Sequence, residues 1–103
     1  MTVLDAAHLI QFKAKAWLDL TERKAKGEHA DSKNIKKHKN DVFRLTELIY
    51  PTSKIVTPYG VYTDIQEFIQ RMKNENVDIE HLRLVGKTKE EILKELKEMY
   101  ETL

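Results

Sequence analysis

Apolar residues that return every three or four positions constrain this chain more than any other feature, because that spacing builds helices and not sheets. Between Asp5 and Lys26, Leu9, Phe12, Ala16 and Leu20 recur at helical spacing, and Ile10 and Trp17 widen the stripe. Asp5 can cap this segment, Arg23, Lys24 and Lys26 suit the negative end of its macrodipole, and Gly27 can stop it. A second helix runs from Asp31 or Ser32 to about Tyr50 on Ile35, His38, Val42, Leu45 and Ile49, with Phe43 and Leu48 alongside. Pro51 ends it, since the residue before a proline avoids the helical region. The connection at Gly27–Ala30 is short, so the first two helices should pack as an antiparallel pair.

Residues 51–57 read as a linker with room for one extended stretch. A third helix follows with Thr57 as cap and Pro58 in the first turn; a start at Thr63, with Gln66 completing a capping box, competes. Its stripe is Val61, Ile65, Phe68 and Met72, beside Tyr62 and Ile69. Asp78 to Leu84 suggests a short helical turn placing Ile79, Leu82 and Leu84 on the core, broken by Gly86. Thr88 with Glu91 forms a capping box for the last helix, which carries Ile92, Leu96, Met99 and Leu103 on one line, with Leu93 and Tyr100 adjacent. No alternation at period two is long enough to build a sheet. The expected fold is all-α, a compact bundle of about four helices over residues 1–103.

Composition narrows the chemistry. The chain has 103 residues, room for one modest core, and no cysteine, so disulfides, thiolate nucleophiles and sulfur-based zinc sites are excluded. No apolar run approaches the roughly 18 residues of a membrane span. The first residues lack the pattern of a signal peptide, which makes a cytoplasmic location the expectation. The four histidines have no His-x-x-x-His spacing, so no metal site is expected from this chain. Ser32 and Ser53 stand in a cap and a linker rather than in a nucleophile elbow, and the three glycines are isolated.

Three groups of polar residues deserve a functional reading. Lys33, Lys36, Lys37 and Lys39 form a basic stretch that could face nucleic-acid phosphates or simply line a solvated helix face. Lys13 adjoins Phe12 on the core-facing side of the first helix, Lys15 follows two residues later, and Asp41 precedes Val42 and Phe43 in the second. In an antiparallel pair, a lysine and this aspartate can meet, as a functional pair or as an interhelical salt bridge. His38 lies on the apolar line between Ile35 and Val42, where a histidine is more often structural than catalytic.

Phe12-Lys13-Ala14-Lys15-Ala16-Trp17-Leu18-Asp19-Leu20-Thr21-Glu22-Arg23-Lys24 resembles the late lysine-alanine-leucine-arginine helix of AbiEii/AbiGii-type nucleotidyltransferase-like proteins, within the polymerase-beta-like superfamily. Asp31-Ser32-Lys33-Asn34-Ile35-Lys36-Lys37-His38-Lys39-Asn40-Asp41-Val42-Phe43-Arg44-Leu45 resembles the helix that follows it there, although Asn34 stands where many members have aspartate. Together the two segments cover about the first half of the chain. The family's catalytic sheet carries a Gly-Ser motif and an Asp-x-Asp pair; this chain has neither.

The resemblance therefore implies the helical C-terminal part of such a protein, inactive in isolation, whose partner is an N-terminal catalytic domain. It implies magnesium and a nucleoside triphosphate as cofactors of the full-length protein, none being held by this chain, with RNA as an acceptor and a role in a toxin–antitoxin pair. By position, Lys13 or Lys15 would bind nucleotide and Asp41 would serve the catalytic site. The alternatives are a small nucleic-acid-binding module using Lys33, Lys36, Lys37 and Lys39, and a protein-interaction bundle that docks through Phe12 and Trp17. Oligomeric state stays open.

Overall fold

The computed structural model describes residues 2–50, 52–84 and 86–102. Four helices and two short strands follow in the order α1 (Val3–Ala25), α2 (Ser32–Thr46), β1 (Ile55–Thr57), α3 (Tyr59–Met72), α4 (Lys89–Met99) and β2 (Tyr100–Thr102). The fold is all-α apart from this small sheet. A Cα radius of gyration of 13.3 Å matches the about 13 Å expected of a packed domain of this length.

Helix α1 begins at Val3, two residues before Asp5. Thr2 is the cap: its hydroxyl accepts from the Asp5 N–H, and the Asp5 carboxylate accepts from the Thr2 N–H, so Asp5 completes a capping box instead of opening the helix. Those bonds hold the Asp5 carboxyl below its usual value. At the other end Gly27 takes φ +82°, and the Glu28 N–H reaches back to the Arg23 carbonyl while that of Gly27 reaches Lys24. This is the Schellman closure that a residue without Cβ makes cheap. It turns the chain so that α2 returns antiparallel along α1, and the Lys24 ammonium donates to the Ser32 hydroxyl at 2.7 Å.

The buried face of α1 is rotated from the expected stripe. Ala6, Ala7, Ile10, Ala14, Trp17 and Leu18 are buried, whereas Phe12 is 65% exposed. Both lines carry apolar residues at helical spacing. The alanines decide between them, because small side chains let α2 and α3 approach the backbone of α1 closely while Trp17 fills the space beyond. Trp17 meets Phe68 of α3 edge to face at 5.5 Å, and the Arg71 guanidinium lies 5.5 Å from the Trp17 ring. The tryptophan expected on a docking surface is therefore core, at 2% exposure.

Helix α2 ends at Thr46, not Tyr50. The Thr46 hydroxyl donates to the Phe43 carbonyl at 2.6 Å, and the N–H groups of Glu47, Leu48 and Ile49 bond three residues back, tightening the last turn. Pro51, expected to end the helix, lies outside the described residues. β-branched Ile55-Val56-Thr57 supplies the extended stretch. Helix α3 starts at Tyr59 with Pro58 in the cap position and no side-chain cap. Thr57 is instead the last residue of β1, one position before the cap, with its hydroxyl donating to the Glu101 carbonyl in the neighbouring strand, and Thr63 lies within the helix, donating to Gly60.

Residues 78–84 form turns, with the Asp78 carboxylate accepting from the His81 N–H and Arg83 at φ +59°. They bury Leu82 and Leu84 and leave Ile79 half-buried. Thr88 caps α4 through the Glu91 N–H; its hydroxyl meets the Glu91 carboxylate at 3.3 Å rather than forming the full box. Helix α4 then stops at Met99, earlier than its apolar line suggests. Tyr100 turns extended, buries its ring, and its hydroxyl donates to the Ala7 carbonyl. Tyr100–Thr102 pairs in parallel with β1, in the register Ile55–Tyr100, Val56–Glu101 and Thr57–Thr102, the crossover being α3 and α4. Leu103 lies outside the described residues.

Candidate functional site

Helices α1 and α2 are neighbours along their length. Lys13, midway along α1, and Asp41, midway along α2, meet with Nζ 3.1 Å from Oδ2, each side chain 20% exposed. Arg44, one turn on from Asp41, brings its guanidinium to 3.8 Å from the other carboxylate oxygen. Two cations thus share one anion at the mouth of a shallow groove of about 320 Å³, which Leu9, Leu45, Glu47 and Leu48 complete. Leu48 is 51% exposed, and Phe12, beside Lys13 in sequence and one turn from Leu9, is more exposed still. An ionic centre with apolar edges faces solvent.

Lys15 points elsewhere. Its ammonium lies 3.3 Å from Asp19 and 3.9 Å from Asp64 of α3, in a cleft that Glu22, Glu67 and Arg71 also line. The Asp19 hydrogen bond, followed by the Asp64 charge, holds its pKa above the ordinary lysine value. The two candidate lysines therefore serve different faces of α1, and it is Lys13 that shares a site with Asp41.

His38 stands one turn before Asp41. Burial of the ring, followed by the nearby Lys13 charge, lowers its pKa; Asp41 acts in the opposite sense. Its Nδ1 is buried without a hydrogen-bond partner among the described residues. Of the basic stretch, Lys33, Lys36 and Lys37 are exposed on the first half of α2. Lys39 is drawn inward: its side chain is 13% exposed and its ammonium donates to the Asn76 carbonyl at 2.9 Å. It ties α2 to the segment that follows α3 and stands apart from the exposed three.

A further feature went unseen in the sequence. Gln66, Ile69, Gln70 and Lys73 on α3 face Glu90, Leu93, Lys94 and Lys97 on α4 across a groove of about 340 Å³. Both sets have the spacing i, i+3, i+4, i+7, so the signal was present, but the apolar stripes dominated those helices.

Among the described residues no three His, Cys, Asp or Glu side chains gather as metal ligands would, and no helix is long and apolar enough to cross a membrane. No protein-family model, curated protein or solved structure matches this chain.

Proposed function

We propose that this chain is a helical accessory domain of a nucleotidyltransferase-like protein, without catalytic activity of its own, which presents the Lys13–Asp41–Arg44 centre to a nucleotide held mainly by a catalytic domain. The resemblance of the α1 and α2 segments motivates the reading. The observation that carries it is that the lysine and aspartate singled out by the resemblance lie 3.1 Å apart at an open surface. A bound triphosphate would meet Lys13 and Arg44, but Asp41 and Glu47 balance their charge, so the groove is neutral overall and attraction must come mainly from groups on the catalytic domain. Asp41 and Glu47 are the carboxylates lining the groove. Both Asp41 oxygens already face cations, Lys13 and Arg44, so these residues do not fit a magnesium site of their own, and the ion would be held by the catalytic domain together with the substrate phosphates. When bound, the ion would neutralise phosphate charge, while the chain's own cations orient the phosphates.

On this reading Phe12, Leu9 and Leu48 dock against the catalytic domain, and burying them gives the contact its apolar part. A direct check incubates the purified chain with magnesium, each of the four nucleoside triphosphates and an RNA acceptor. No nucleotide transfer is expected. Transfer by this chain alone would overturn the proposal.

One observation favours a second reading, a nucleic-acid-binding module. Lys33, Lys36 and Lys37 are exposed together on α2 and have no acidic partner within ion-pair distance among the described residues. Lysines that neutralise phosphates release counterions, so RNA affinity should fall steeply as salt rises. Affinity that stays flat between low and moderate salt would exclude this reading.

A further inference from the structure

We infer that the groove between α3 and α4 is a binding site for a small anionic amphiphile, a single alkyl chain ending in a carboxylate. The groove's floor is Ile69 and Leu93, and its flanks are Gln66, Lys73, Lys94 and Lys97. Lysine stems extend an apolar floor while their ammonium groups stay in water, so the walls suit a hydrocarbon body and the rim suits an anion. Lys73, Lys94 and Lys97 have no acidic partner within ion-pair distance among the described residues. Lys89 is occupied, donating to the carbonyls of Lys73 and Glu75 at the end of α3.

Those two bonds also fix the polarity of the site. They hold the start of α4 against the turn that follows α3, and the pairing of β1 with β2 brings the start of α3 near the end of α4, so the helices run antiparallel. Glu90, the one carboxylate on the groove, therefore stands at the Lys73 end, and Lys97 lies toward Gln66. The carboxylate belongs at the Lys97 end, with Lys94 beside it and away from Glu90, and the alkyl chain runs from there over Leu93 and Ile69.

The groove's size suits a small molecule and not a helix. At about 340 Å³ the groove falls in the range of about 300–1,000 Å³ for small-molecule sites. An acidic helix of three turns, about 16 Å long and about 10 Å across, fills on the order of 10³ Å³ and would sit on the rim without reaching the floor.

The test is a backbone amide NMR titration of the full chain with decanoate below its micellar concentration, with acetate and decanol as controls. The expected result is saturable decanoate shifts confined to residues 66–73 and 89–97, with acetate and decanol each weaker by about tenfold or more. The Lys94→Gln/Lys97→Gln variant, altered only at exposed positions, should keep its helical circular dichroism and lose about tenfold in decanoate affinity. Equal binding of decanol and decanoate, unchanged affinity in the folded variant, or no saturable shift in these two segments would overturn the assignment.

Discussion

The Tyr100 hydroxyl donates to the Ala7 carbonyl at 2.8 Å, joining residues at opposite ends of the chain in a fully buried contact. It explains why α4 ends where it does. Continuing the helix would carry the ring away from the pocket beside α1, whereas an extended Tyr100 fills that pocket and begins the strand paired with β1. Burial of the phenol pushes its pKa above the ordinary tyrosine value, so the hydroxyl remains a donor at any working pH.

Tyr100→Phe should therefore destabilise the domain by about 1 kcal/mol, the usual net value of one hydrogen bond, and lower Tm by about 4–8 °C. Urea unfolding followed by circular dichroism measures it. A variant as stable as the parent would show that the bond adds nothing to the packing of the ring.

Trp17 and Phe68 should be coupled. A double-mutant cycle with Trp17→Leu and Phe68→Leu is expected to give an interaction of about 0.5–1.5 kcal/mol for their edge-to-face contact. As the single tryptophan, Trp17 should also emit at short wavelength in the folded state and shift to the red on unfolding. Additive single changes would remove the contact from the account of the core.

Stability should depend on His38 in a defined direction. Its folded-state pKa lies below the unfolded value of 6.5, so the folded protein binds this proton less readily than the unfolded chain. The neutral ring's contribution is complete above pH 6.5 and is lost as pH falls through that value toward the folded-state pKa. Lys13 and Lys37 reinforce the depression while Asp41 opposes it. Urea midpoints at pH 7.5 and 5.5 should differ by less in His38→Gln than in the parent; an equal difference would assign the effect to other groups.

The Lys13–Asp41 pair should contribute little to stability. Each side chain keeps a fifth of its surface in solvent, and Asp41 is shared with Arg44. A cycle of Lys13→Met and Asp41→Leu in unfolding experiments is expected to give a coupling below about 1 kcal/mol. A much larger value would make the pair chiefly structural and weaken the functional reading of Lys13.

The helices were legible in the sequence because their apolar spacing is long and regular. The α3 and α4 stripes of Ile65, Phe68, Met72, Ile92, Leu96 and Met99 are buried as expected. Misreadings occurred where a local signal competed with a distant contact. Leu9 and Phe12 offered as good a stripe as Ile10 and Ala14, and only the helices packed on the alanines decide between them. Tyr100 continued a helical line, but its partner Ala7 lies at the far end of the chain. Thr57 had the chemistry of a cap, yet its hydroxyl serves the strand beside it. The meeting of Lys13 with Asp41 could be anticipated from an antiparallel pair, and the separation of Lys15 follows from its spacing, since residues two apart do not share a helix face; its contact with Asp64 could not, since that depends on where α3 lies. The α3/α4 groove needed both helices in position before its two polar lines could be seen as one site.

The proposed role of the Lys13 centre is tested most directly by titrating the isotope-labelled chain with magnesium nucleoside triphosphates and following backbone amide shifts. Weak, saturable perturbation is expected around residues 9–16 and 38–48, and Lys13→Gln should reduce it by about tenfold. Shifts confined to other regions, an undiminished response in Lys13→Gln, or no response at millimolar nucleotide would contradict the assignment of this surface to nucleotide phosphates.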